Sequence, residues 1–415
     1  MLFRINAFLK DNSPLFAALF GLAFIYLGIS FIHRIEKDGG TDFNVYYQAG
    51  KLINKGMANE LYTFTTGRGW HYNYPPLFAI LISPLSILPL REAGLVWYLL
   101  NLVFLFFSLR LLLRLRSEDS LLPLAFTIIY GAGAVGENLM VGQVNILITL
   151  IILISFSLIE KEKGFAAGIL LSLASTIKVI PIILFFYFFL KPKRRVFMGG
   201  FVGFLLFLLI IPSLFLGVRG CLTTNLKFAK EMILPHLGAE SGGTIYALKT
   251  DITATANQSL NAVLARFFSR RGEVFPSIHL ISLSPSSVKL IASLTQFLLF
   301  FLTLFFTLVK RRRATLLELS LFIPLMFLLS PEIKLRQLPP LAIVPFFLIG
   351  DGLLKTNPPK KHRLLAIIFL LLSFVSLSLI GMRYFQLFGV GLAGVFFLWL
   401  SLSLLLLGMG KELSN

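Results

Sequence analysis

The chain has 415 residues, 57% of them hydrophobic and 14% charged, with a mean hydropathy of +0.85. Soluble domains carry roughly 25% charged residues and break their apolar runs with polar faces, so this composition excludes a water-soluble enzyme and points to an all-α polytopic membrane protein. The balance of 38 Lys and Arg against 19 Asp and Glu, +19 in all, therefore bears on membrane orientation before it bears on nucleic acid, and the lone Cys221 excludes an internal disulfide or a cysteine-built metal site.

At ~20 residues per crossing, the apolar content suffices for about twelve membrane segments. The start, Met1 to Ser13, carries Arg4 and Lys10. The apolar stretch after it is too long for a signal-peptide core, so it reads as a retained first helix. Helices are predicted over 15–33, 95–113, 120–136, 143–159, 196–217, 287–309, 315–330, 337–350, 363–380 and 386–408, each mostly apolar and bounded by charges or by Gly and Pro. Basic clusters at Lys193 to Arg195, Lys310 to Arg313 and Lys355 to His362 are separated by pairs of spans and can share one face, expected to be cytoplasmic. The whole of 1–415 then forms one integral membrane domain. Its outer side holds a first loop over 34–74, a large loop over 218–286 with short helices, and a turn around Ser330 to Pro340.

Two stretches leave the parity open. If Arg110, Arg114 and Arg116 are cytoplasmic, 75–113 crosses once and 164–190 enters and returns as a re-entrant hairpin, tolerated where its backbone is buried in protein or lines a wet cavity. The other arrangement lets 75–90 and 93–113 each cross and makes 164–190 a single span kinked at Pro181. The sequence contains no internal repeat of the kind expected of a two-fold transporter.

The carboxylates give a short list of candidate bases. Asp42, in Gly40-Thr41-Asp42-Phe43-Asn44-Val45-Tyr46-Tyr47, sits among aromatic and amide neighbours that would raise its basicity; equally, Thr41 or Asp42 could cap a short helix running past Gly50. Trp70-His71-Tyr72-Asn73-Tyr74-Pro75-Pro76 suits an interfacial aromatic belt or a carbohydrate surface. Gln143 and Asn145 open an apolar span, where amides serve as helix–helix glue or bind sugar hydroxyls. Lys178 lies deep in Ala174-Ser175-Thr176-Ile177-Lys178-Val179-Ile180-Pro181. Its alternatives are a phosphate partner, an ion pair with Glu137, or snorkelling. Asn257, Gln258, Ser259 and then Arg266 offer amides, a hydroxyl and a guanidinium, against the simpler reading of a polar loop. The five scattered histidines and the lack of an Asp-x-Asp pair give no metal site, and no Walker loop or dinucleotide fingerprint is present.

The ordered set resembles glycosyltransferase family 87 of the GT-C superfamily, the polyprenol-phosphate-mannose-dependent mannosyltransferases. It comprises Asp42 with Tyr46 and Ala49; Leu61-Tyr62; Tyr74-Pro75-Pro76 leading to Pro84-Leu85 and Leu88-Pro89; Trp97; Gly142-Gln143-Val144-Asn145; Ala167-Gly168 leading to Ile177-Lys178; Asn257-Gln258-Ser259-Leu260 with Arg266; and Ser330-Pro331. The resemblance implies a GT-C-type fold with about 12 transmembrane or re-entrant helices in the plasma membrane. It also implies an extracytoplasmic active site and transfer of a hexose, mannose by analogy, from a polyprenyl-phosphate donor to a glycolipid or glycan acceptor. Asp42 would be the base of an inverting, metal-independent reaction that needs no cofactor. Lys178, Arg266 and Arg336 would compete for the donor phosphate, while Tyr46, Tyr74, Gln143, Asn145, Asn257 and Gln258 would hold sugar or acceptor. Members of the family often carry an aromatic and a histidine pair after the Ser-Pro, where this chain has Lys334, Leu335, Arg336 and Gln337. Arg336 could supply the positive charge of such a histidine but could not exchange a proton at neutral pH. The alternatives are a GT-C transferase acting on a protein or lipid A-like acceptor, or a lipid or solute transporter using Lys178 and Glu137. Nucleic acid is not an expected partner.

Overall fold

Apolar helices dominate because lipid leaves backbone groups no partner except one another. The computed structural model describes residues 11, 13–38, 40–115, 122–191, 193–235, 254–269, 278–308, 316–334, 339–355 and 358–409. Among these, seven helices are long and apolar enough to cross a membrane, five more are shorter and apolar, and pairing outside helices is limited to isolated bridges at Thr65–His71 and Ser269–Leu283. The chain is an all-α polytopic membrane protein, as its composition requires.

The first long helix, α1 (Ser13–Asp38), leads into α2 (Asp42–Asn54), and the short α3 (Pro76–Ile82) precedes the long α4 (Leu90–Leu115). At 1.5 Å per residue the seven residues of α3 rise about 10 Å, far short of a ~30 Å hydrocarbon core, so 75–94 does not cross by itself. It packs instead under α2: Tyr47 Oη donates to the Leu88 carbonyl at 2.8 Å, and Asn54 Nδ2 donates to the Ser83 carbonyl at 2.8 Å.

Next come α5 (Leu122–Val141), α6 (Asn145–Glu160), α7 (Gly164–Ile177), α8 (Leu184–Leu190) and α9 (Arg194–Phe204). Glycines show how the last three are arranged. A Cβ on Gly164 would press on Val196, one on Gly168 on Val196 and Gly200, and one on Gly203 on Ser172 and Ile169. The register rises together along both helices, so α7 and α9 run parallel. Two parallel helices in succession require the chain between them to come back, and the limb over Ile180–Leu190 does so. The structure thus selects the re-entrant arrangement of 164–190, with Lys178 at its tip. At the far end of the returning limb, Lys191 Nζ lies 2.6 Å from Glu318 Oε2, and Tyr187 Oη donates to the same oxygen at 2.8 Å.

Beyond α9 a π turn (Leu205–Ile210) passes into α10 (Ile211–Phe228), which breaks at Gly217, where φ is 70°. Thirteen residues of straight helix would separate Leu208 from Cys221 by about 20 Å. Yet Cys221 Sγ and Asn225 Nδ2 both donate to the Leu208 carbonyl, at 3.3 and 3.0 Å, so the chain folds back at Gly217. The second limb then reaches the 34–74 segment, where Lys227 Nζ donates to the Asn59 carbonyl at 3.1 Å. The expected span over 196–217 and the expected change of character at 218 both fall at this turn.

The rest comprises α11 (Leu260–Phe268), α12 (Pro285–Leu308), α13 (Leu316–Ser320), α14 (Phe322–Leu328), α15 (Pro339–Lys355), α16 (Lys360–Ser378), α17 (Arg383–Leu387) and α18 (Val390–Gly408). α16 and α18 form an antiparallel pair in which Ser373 Oγ donates to the Gly394 carbonyl at 2.7 Å and Ser401 Oγ to that of Ala366 at 2.7 Å. Removing one member of a fully buried ion pair strands the other charge at about 3–5 kcal/mol, and the half-buried Lys191 sets the cost here below that. Glu318→Ala should therefore lower the thermal midpoint of the solubilised protein, whereas the double variant Lys191→Met/Glu318→Leu should recover most of the loss. Equal midpoints for single and double variants would show that the pair does not anchor the returning limb.

Candidate functional site

Asp42 is the first residue of α2, and Thr41 is the cap: its hydroxyl accepts from the Asn44 backbone N–H at 3.2 Å and donates to Asn44 Oδ1. The cap is thus Thr41, and the carboxylate of Asp42 lies half-buried at the helix start. Tyr46 follows one turn later, on the same face.

From Tyr46 a continuous polar chain crosses to the re-entrant tip. Tyr46 Oη lies 2.8 Å from Tyr74 Oη, and both phenols approach Gln143 Oε1, at 3.1 and 3.3 Å. Asn145 Nδ2 donates to the same oxygen at 3.4 Å, and Lys178 Nζ donates to Asn145 Oδ1 at 2.7 Å. Tyr46, Tyr74, Gln143 and Asn145 are buried, while Lys178 is half-buried. Four separate elements thus deliver one hydrogen-bonded network, in a protein whose surroundings are mostly hydrocarbon.

Local sequence explains how each part is aimed. Gly142 adopts φ +68°, and a Cβ there would meet the Phe31 ring and Phe43 Cβ at 2.8 Å, so only glycine makes the turn that opens α6 with Gln143 and Asn145. Trp97 Nε1 holds that turn by donating to the Gly142 carbonyl at 2.8 Å. The Pro75-Pro76 start of α3 is fixed by Tyr62 Oη donating to the Tyr74 carbonyl and Tyr72 Oη to that of Pro75, both at 2.9 Å. Burial pushes both phenols well above their ordinary range, so they stay protonated donors. Lys178 leaves α7 in an extended conformation, which turns it away from the helix axis at the tip.

The other expected residues lie in a second cluster. Arg266 is fully buried, and its guanidinium donates to the carbonyls of Leu387, Ala254, Asn257 and Gln386 at 3.3, 3.4, 3.0 and 3.3 Å. Burial also lowers its pKa to about 10. Gln258 donates to the carbonyls of Thr255 and Gln386 and accepts from the Gly391 N–H, while Asn257 Oδ1 accepts from the Ser259 and Ile333 N–H groups. These side chains clamp 254–259, 330–333 and 386–391 together. The geometry favours a structural role for Arg266 and Gln258 over the expected contact with substrate. Sequence reasoning gave no sign of the Gln386 and Leu387 carbonyls, because backbone acceptors carry no residue signature. Glu332 pairs with Lys334, and Arg336 lies outside the described residues. Among the described residues, no group of three His, Cys, Asp or Glu could hold a metal ion.

Replacing Arg266 by Leu should strand several buried carbonyls, each at about 1–3 kcal/mol, and lower the thermal midpoint by about 5 °C or more. Lys178→Leu, which forfeits a contact at a half-buried site, should lower it less; the reverse order in differential scanning fluorimetry would contradict these assignments. A family model described as Glycosyltransferase family 87 matches residues 72–331, taking in Tyr74, Gln143, Asn145, Lys178 and Arg266 and leaving Asp42, Tyr46 and Arg336 outside. No curated protein and no solved structure matches the chain.

Proposed function

The chain belongs to glycosyltransferase family 87 and is a membrane glycosyltransferase, and we propose that it moves a hexose, mannose by family resemblance, from a polyprenyl-phosphate donor to a hydroxyl of a glycolipid or glycan acceptor. The observation that carries the reading is the network linking Lys178 to Asn145, Gln143, Tyr74 and Tyr46, with the Asp42 carboxylate one helical turn beyond.

A sugar carried on a lipid phosphate brings its own leaving group. The protein must supply a base for the acceptor hydroxyl and a cation for the departing phosphate. In the proposed step Asp42 takes the acceptor proton while the acceptor oxygen attacks the anomeric carbon from the face opposite the phosphate. The bond from that carbon to the phosphate oxygen breaks, the configuration inverts, and the polyprenyl phosphate leaves with the electron pair. Lys178 faces the phosphate. The bond from Lys178 to Asn145 holds the ammonium in position before substrate arrives, and a positioned charge needs no rearrangement as negative charge develops. Tyr46, Tyr74, Gln143 and Asn145 present hydroxyl and amide groups suited to the transferred sugar. Asp42 belongs to the 34–74 segment, and the distribution of Lys and Arg that reads this segment as extracytoplasmic supports a reaction on the outer face of the plasma membrane.

General-base catalysis contributes roughly 10²–10⁴-fold. Asp42→Asn, purified at normal yield, should lose at least about 100-fold in transfer from a polyprenyl-phosphate hexose, and near-normal transfer would sink the assignment. Lys178→Met should lower kcat by about 10²–10³ if the ammonium stabilises the departing phosphate. An unchanged kcat with only a raised KM would instead make Lys178 a docking residue.

A further inference from the structure

The face of α2 opposite Tyr46 carries Asn44, Gln48 and Leu52 at successive turns, and the segment 64–67 stands off from it to leave a half-open cleft of about 430 Å³. Phe64, Thr65 and Thr66 form the facing wall. Hydrogen bonds within the segment hold the shape of that wall. The Thr66 N–H donates to the Trp70 carbonyl at 2.9 Å, the Trp70 N–H to Thr66 Oγ1 at 3.2 Å, and the Gly69 N–H to the Thr66 carbonyl at 2.8 Å, with Gly69 at φ +73°. Thr65 pairs with His71 behind the turn. The space is therefore built, and its volume lies within the ~300–1,000 Å³ of small-molecule sites.

Its lining specifies the ligand. It holds two amides and two hydroxyls, with Leu52 and Phe64 as apolar surface and no ionisable side chain. Asn44 Oδ1 is already engaged by the Thr41 hydroxyl, which leaves the Nδ2 hydrogens as that amide's donors. Gln48 and Thr65, both exposed, add groups that donate and accept. A phosphate or carboxylate would find no cation in this lining, and a hydrocarbon chain would strand the amides. A pyranose ring matches it, with hydroxyls for the amides and a C–H face for the aromatic and leucine surface.

We propose that this cavity binds a neutral sugar ring of the acceptor glycan, beyond the ring that carries the attacked hydroxyl. The proposal rests on the transferase reading and deepens it. Asn44 lies two residues from Asp42, and a helix is about 10–12 Å across. An acceptor of several rings can therefore pass around the first turn of α2 with one ring at the carboxylate and another in the cavity. The site would select for acceptor length while leaving the chemistry at Asp42 unaltered.

The test uses the full-length protein in detergent and two probes, mannotetraose and maltotetraose, followed by isothermal titration. The wild type and Asp42→Asn should bind at least one of them equally well. The double variant Gln48→Ala/Thr65→Val, which leaves the helix cap and the polar network intact, should bind roughly tenfold more weakly. In turnover it should raise KM for a tetrasaccharide acceptor by a similar factor, with kcat and donor KM unchanged and no effect on a monosaccharide acceptor. Wild-type affinity in the double variant, tighter binding of a phosphorylated or acidic oligosaccharide or of a peptide, or no binding of either neutral probe by the wild type would overturn the subsite. Loss of transfer in Asp42→Asn with titration unchanged separates this result from the fate of the catalytic assignment.

Discussion

The bond from Lys178 Nζ to Asn145 Oδ1 joins two parts of the protein on which the polar network depends. One is the tip of a hairpin that enters the helical body and returns. The other is the turn at Gly142, which carries Gln143 and Asn145. A lysine at the end of an apolar helix needs oxygen atoms close by. Here the nearest amide is itself tied through Gln143 to two tyrosines, so the ammonium, the amides and the phenols are held as one unit. Everything around that unit serves to keep four chain segments from drifting apart.

Two anchoring devices do this at different places. On the returning limb of the hairpin, Lys191, Tyr187 and Glu318 tie α8 to α13 by an ion pair and a phenol. At the other end of α14, which packs against Ile180–Ile183 just after Lys178, Arg266, Asn257 and Gln258 gather three chain segments through backbone carbonyls and N–H groups. The hairpin is thus restrained at its base by charge and near its tip by a neighbouring helix whose exit is clamped. Polar side chains in both devices act mainly on backbone or on one another, which suits an environment where a lone polar group is expensive.

Membrane class, the approximate number of apolar segments and most helix positions were legible because hydropathy and bounding charges report directly on the bilayer. The family was legible from an ordered set of short motifs. Parity was not: the stretch 164–190 has the same composition whether it crosses or returns. The difference lies in the parallel packing of α7 on α9 through Gly164, Gly168, Gly199 and Gly203, a relation between two helices that neither displays alone. Roles were least legible where residue type was right for two tasks. Arg266 and Lys178 are both cations expected at phosphate, but one is enclosed by carbonyls and the other sits half-buried beside an amide network. Sequence could name both and could not say which oxygen atoms would surround each.

Close glycine contact between α7 and α9 has a consequence for how this protein can vary. Because the backbones interlock at fixed positions, the distance along α7 from Gly168 to Lys178 acts as a ruler. One inserted residue would advance the lysine by about 1.5 Å and rotate it by about 100°, turning the ammonium away from Asn145. Side-chain changes at the exposed Phe165 and Ala166 leave that ruler intact. A change of length does not, so the segment is fixed in count even where its composition can vary.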